Sequence, residues 1–112
     1  MKISIATPLF LVLAIREKDN ILDIDTIRKN INQLDDDLLR LFNQRAALAL
    51  EIGEVKKQLD LPIYDPKREK LIFKRMQDKN HGPLDNSAII RLFERVIDES
   101  RSLERTHSKG DR

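Results

Sequence analysis

The stretch IRKNINQLDDDLLRLFNQRAALALEIGEVKKQL, residues 27–59, decides the fold. Within it Ile27, Ile31, Leu34, Leu38, Leu41, Arg45, Leu48, Ile52, Val55 and Leu59 advance by alternating steps of four and three. Each is Ile, Leu or Val except Arg45. Such a stripe predicts the buried seam of one long helix. A cation on a seam loses hydration and needs an anionic partner, or folding suffers. That partner is either a protein carboxylate or an anionic ligand, and the choice decides the function.

A helix from about Thr26 to Leu59 is on the order of 50 Å long at about 1.5 Å per residue. A compact domain of roughly 100 residues has a radius of gyration near 13 Å. The seam therefore overhangs one chain of this size and calls for a second chain to cover it. Asp23 and Asp25 offer N-caps ahead of Ile27, and no proline occurs from Ile21 to Leu61. Gly53, the one glycine in the run, serves either close helix packing or clearance for a ligand or facing chain.

Outward from this helix, Pro62 forces a stop near Asp60, and Leu61-Pro-Ile-Tyr64 reads as an extended connector. Asp65-Pro66 restarts a helix with Asp65 as N-cap and Pro66 in its first turn. This second helix is expected to run to about Asp78, with Leu71, Ile72 and Met76 as its apolar face. Asn80-His-Gly-Pro83 is a break. A third helix is expected after Asp85, continuing to about Arg105. Its stripe is Ile89/Ile90, Phe93, Val96/Ile97, Ser100 and Leu103/Glu104. The reading is all-α: a three-helix chain with one long N-terminal helix, over residues 23–106. Residues 1–22 are read as an extension, disordered or weakly signal-like, and 107–112 as a frayed tail.

Composition narrows the chemistry. The chain holds 112 residues, no Cys and no Trp, which removes disulfides, thiolate metal sites and a cysteine nucleophile. His81 and His107 fall in a loop and a polar tail, so a histidine metal cluster is not expected. Net charge is +2, with basic and acidic residues interleaved, which does not argue for nucleic acid. The apolar run from Ile3 to Ile15 is too short to span a bilayer. Pro8 interrupts it, and Val12-Leu-Ala14 resembles a signal cleavage site only weakly. A cytoplasmic protein is the main expectation, with export the lesser one.

Four polar groups on apolar stripes need a common explanation: Arg45, Lys56, Ser100 and Glu104. Arg45 and Lys56 are eleven residues apart, which returns to within roughly 20° of one face about 16 Å along the axis. Both can lean toward a small anion between them. Ser100 and Glu104, four apart on the third helix, share a face and could close the pocket. Arg28 lies about 25 Å of helix from Arg45 and about 42 Å from Lys56, beyond reach within its own chain. In an antiparallel dimer of long helices, Arg28 of one chain could approach the other chain's pocket, giving two equivalent shared sites. Taken singly, each residue also has a bland reading, as a solvated flank, a structural ion pair or a helix-satisfied hydroxyl.

The segments Asp25-Thr-Ile-Arg28, Leu34-Asp-Asp-Asp-Leu-Leu39, Arg45, Glu51-Ile-Gly-Glu-Val-Lys56, Pro62-Ile-Tyr-Asp65-Pro-Lys-Arg68-Glu69 and Ile90-Arg-Leu-Phe-Glu-Arg-Val-Ile-Asp-Glu-Ser100 resemble the all-helical chorismate mutases. The resemblance covers about residues 23–105. It implies an intertwined homodimer that converts chorismate to prephenate on the route to phenylalanine and tyrosine, with no cofactor. It implies Arg28 from the partner chain and Arg45 from the same chain on the substrate carboxylates. Lys56 falls on the ether oxygen and a carboxylate, Asp65 and Glu69 around the substrate hydroxyl, Ser100 on a carboxylate, and Arg68 in support. Glu104 stands where many bacterial members have Gln, and it must be protonated to donate to the ether oxygen. The alternatives are an isochorismate pyruvate lyase on the same fold and a non-catalytic helical dimerisation or regulatory module.

Overall fold

The computed structural model describes residues 23–110, the last three as backbone only. The expected extension over 1–22 and the end of the tail lie outside the described residues. Three helices follow in order: α1 (Ile24–Gln58), α2 (Pro66–Lys79) and α3 (Asn86–Gly110). Among the described residues no helix is long and apolar enough to cross a membrane.

The helix starts follow the expected chemistry. Asp23 accepts the Thr26 amide at 2.8 Å and caps α1, while Asp25 sits within the first turn. Asp65 accepts the Arg68 amide at 3.1 Å, with Pro66 immediately behind it. Asp85 accepts the Ala88 amide at 2.7 Å and caps α3. The end of α1 is a Schellman turn: Leu61 N–H donates to Lys56 O at 2.8 Å and Asp60 N–H to Lys57 O at 3.3 Å. Asp60 takes the left-handed conformation, φ 55°, that glycine usually fills. Helix α3 runs past the expected end near Arg105, to Gly110.

The chain divides after Leu39 into two compact units. The described part of the first is the N-terminal half of α1, where Ile31, Leu34 and Leu38 are about half exposed. The second holds the rest of α1 with α2 and α3, and α2 packs on α3. Its buried apolar side chains are Ala49, Ile72 and Ile97, with Ser100 beside them. On α2 the expected apolar face is partly corrected. Ile72 is buried and Met76 half-buried, but Leu71 is 61% exposed, and Phe73 takes the inward place.

The seam of α1, which the sequence expects a second chain to cover, is open within one chain. In the single chain Leu41, Leu48, Ile52, Val55 and Leu59 are between 49% and 63% exposed. Within the second unit the residues of α1 that turn inward are a neighbouring line: Arg45, Ala46, Ala49, Leu50, Gly53 and Lys56. Two small side chains and a glycine leave room between helices, and two cations flank that room. The greasy stripe lies beside it, uncovered.

Candidate active site

The inward line of α1 opens onto a cavity of about 270 Å³ within the second unit. Arg45 and Lys56 come to it from α1, Asp65, Arg68 and Glu69 from the start of α2, and Ser100 and Glu104 from α3. All seven are residues that the sequence singles out. Arg28 does not line the cavity and lies exposed on the first unit. Leu48, Ile52, Ile63, Ile72 and Ile97 supply apolar wall between the charges. Among the described residues, no group of His, Asp and Glu could hold a metal ion.

The partner of Arg45 is not a carboxylate. Its guanidinium donates to Ser100 Oγ at 3.0 Å, and among the described residues it forms no ion pair. Burial lowers its pKa, and Arg68 and Arg75 add to that, while Glu104 opposes it. An arginine remains charged through such a shift, so Arg45 is a partly desolvated cation without an ion pair among the described residues. Ser100 is buried, and with its oxygen accepting from Arg45 its own hydroxyl hydrogen remains to donate.

Lys56 donates to the Ile63 carbonyl at 2.9 Å, so the connector after α1 holds the ammonium at the cavity. Its other two hydrogens remain for a ligand. Across from it, Glu104 Oε2 is buried without a hydrogen-bond partner. Burial raises the Glu104 pKa, against the pull of Lys56, Arg101 and Arg45. An orphaned buried carboxylate oxygen is costly when ionised, and the upward shift favours the protonated form. A protonated Glu104 is a donor facing the same space as Lys56.

Gly53 explains how Glu104 fits. A Cβ added there would stand 3.3 Å from Glu104 Cγ and 3.6 Å from Oε2. Of the two roles left open by the sequence, the structure gives close helix packing: the neighbour is the Glu104 side chain of α3. One charged cavity residue stands outside the sequence expectation: Arg101, which forms ion pairs with Asp98 at 2.8 Å and Glu69 at 3.5 Å. Its spacing of four from Ile97 and three from Glu104 is the available signal. That signal is weak, because an arginine on a helix usually reads as solvated surface.

Over the described residues, fold and cavity together define a three-helix domain with a pocket lined by cations and walled by apolar side chains. Residues 27–105 match the family described as chorismate mutase type II. The chain belongs to that family. It is 36% identical over 83 residues to a chorismate mutase of Methanocaldococcus jannaschii, covering 72% of this chain and 83% of that protein. It is also 36% identical over 87 residues to a bifunctional chorismate mutase/prephenate dehydratase of Aquifex aeolicus. That match covers 74% of this chain but only 24% of the relative's length. The chorismate mutase of Helicobacter pylori, solved in complex with prephenate, superposes with a TM-score of 0.72 at 30% identity, covering 77% of this chain and 93% of that one.

Proposed function

We propose that this chain rearranges chorismate to prephenate, working as a homodimer with two shared sites. The observation that carries the reading is one cavity holding Arg45, a cation without an ion pair among the described residues, a lysine with hydrogens to spare, and a buried carboxyl group with a raised pKa. The Methanocaldococcus jannaschii relative is a chorismate mutase, and the Helicobacter pylori enzyme was solved with prephenate bound.

The rearrangement is intramolecular: the ether carbon–oxygen bond breaks as a carbon–carbon bond forms, with no nucleophile and no net proton transfer. Two contributions suffice. Arg45, with Ser100 beside it, would fix one carboxylate, and Arg28 of a second chain the other, folding the enolpyruvyl arm over the ring. Arg68 would support the carboxylate side, while Asp65 and Glu69 take the ring hydroxyl. Negative charge then grows on the ether oxygen as its bond to carbon lengthens. Lys56 and protonated Glu104 would both donate to it in a site with apolar walls, where such donors act strongly.

A second copy of the chain follows from the uncovered stripe. Leu41, Leu48, Ile52, Val55 and Leu59 are too apolar to leave in water over so many turns, and a second α1 has the matching face. The domain is read as residues 23–106, and the protein as cytoplasmic, since Pro8 breaks the signal-like run. The test is to supply chorismate and, separately, isochorismate, and to identify the products. Prephenate from chorismate is expected. Pyruvate release from isochorismate, with chorismate untouched, would replace this reading with a lyase.

A further inference from the structure

Arg101 is the cavity residue to which the proposed chemistry gives no role. Its guanidinium engages three other side chains at once. One edge meets Asp98 at 2.8 Å and Glu69 at 3.5 Å, and its face lies over the Tyr64 ring, 4.9 Å from the centroid. Its side chain is 23% exposed and that of Glu69 20%, so the pair is largely withdrawn from water. These interactions tie α3 to the first turns of α2 and to the connector that precedes it.

A planar group with fixed donors on its edge and an aromatic under its face is held in one orientation. Asp98, one turn back on α3, braces it. Two consequences reach the cavity. Glu69 is a carboxylate in a space shared with Arg45, Lys56 and Arg68. Held by Arg101, it is kept from turning to neutralise one of those cations. Tyr64 also adjoins Ile63, whose carbonyl receives the Lys56 ammonium. Pinning the ring fixes the connector and, through it, that carbonyl.

Resting on the mutase reading, we propose that Arg101 is a positioning residue. It clasps Glu69 and Tyr64 into one wall, so that Glu69 stays directed at the substrate hydroxyl and the cavity cations stay available to the substrate carboxylates. It acts through Glu69 and the connector, not on the breaking bond. Removing it therefore weakens ground state and transition state alike, which is a KM effect.

Arg101→Met keeps the length and apolar bulk while removing the charge and the fork. It should raise KM for chorismate by about tenfold, the scale of a single charge-assisted hydrogen bond, with kcat changed much less. Arg101→Lys should fall between, because an ammonium keeps the charge but neither the fork nor the stacking. In the Arg101→Met background, Glu69→Gln should add little to KM beyond the larger single effect, as residues acting through one another are non-additive. Tyr64 is the only tyrosine in a chain without tryptophan. Its emission thus reports the clasp directly, and acrylamide should quench it more strongly in Arg101→Met.

More quenching together with raised KM and a non-additive Glu69 cycle supports the proposal. Unchanged quenching overturns the clasp. More quenching with KM unchanged, or with fully additive effects, reduces Arg101 to a structural brace and overturns the positioning role. A wild-type chain that leaves chorismate intact brings down the mutase reading and this proposal with it. A wild type that turns over and an Arg101→Met that matches it bring down this proposal alone.

Discussion

At the scale of residues, the proposed site rests on donors aimed at one oxygen. Lys56→Ala removes a donor that strengthens as charge develops, so kcat should fall by about 10²–10³. Ser100→Ala removes a hydroxyl whose oxygen already accepts from Arg45, and the loss should be smaller. Steady-state kinetics on the two variants compares them, and equal losses would contradict the role assignment. Glu104 gives a pH dependence with a definite sign. Its folded pKa is raised, so the native protein holds a proton that the unfolded chain has released. Stability from this group is present below the unfolded carboxyl value and is lost as pH rises toward the folded one. Turnover, if it needs the protonated form, declines through the same folded value. Glu104→Gln should flatten the turnover profile, and its urea midpoint should gain on wild type as pH rises. A Gln variant with the wild-type pH–rate profile would remove Glu104 from the mechanism. Gly53→Ala sets stability against activity. Alanine favours the helix by about 1 kcal/mol, yet its Cβ would press Glu104 Cγ at 3.3 Å. A long side chain can yield, so the melting temperature should rise while turnover drops about tenfold from a displaced carboxyl. Unchanged turnover would show that Glu104 needs no such clearance.

At the scale of elements, much is legible in the sequence and one large point is not. The caps Asp23, Asp65 and Asp85 and the breaks at Pro62 and Gly82-Pro83 are local chemistry, and the helices begin where they indicate. The end of α3 is harder to read, because Ser108 and Lys109 carry no stop signal stronger than Gly110 itself. The stripe of α1 is periodic and, as its length leads one to expect, is not buried within one chain. Periodicity gives a face; it does not say which partner the face meets. In the second unit the face turned inward is Arg45, Ala46, Ala49, Leu50, Gly53 and Lys56, of which only Leu50 is a large apolar residue. Seven of the polar cavity residues are legible because cations and a carboxyl interrupt apolar stripes, or because the segments resemble a known family. Arg101 is not, since its significance depends on Tyr64 and Glu69 arriving from another part of the chain. Asp65 has two roles that substitution can separate. Asparagine caps a helix as well as aspartate does, so Asp65→Asn should leave thermal stability nearly unchanged. Any rise in KM then reports the missing charge at the proposed substrate hydroxyl. Asp65→Ala should cost about 1 kcal/mol of stability in addition. A melting temperature equal to wild type in the alanine variant would contradict the capping role.

At the scale of the whole molecule, the two isoleucines and one alanine buried among the described residues are a slight core for three helices. The long row of half-exposed leucine, isoleucine and valine on α1 is the natural place for the missing burial. A second chain would supply that burial and, on the proposed reading, Arg28 as well. Stability and catalysis would then depend on the same association. The central claim is a site shared between two chains, and mixing inactive Arg28→Ala chains with inactive Arg45→Ala chains tests it most directly. After subunit exchange, half of the dimers are mixed and each has one intact site, so about a quarter of the wild-type activity should return. Exchange demonstrated by mass labelling with no return of prephenate formation would contradict the shared site.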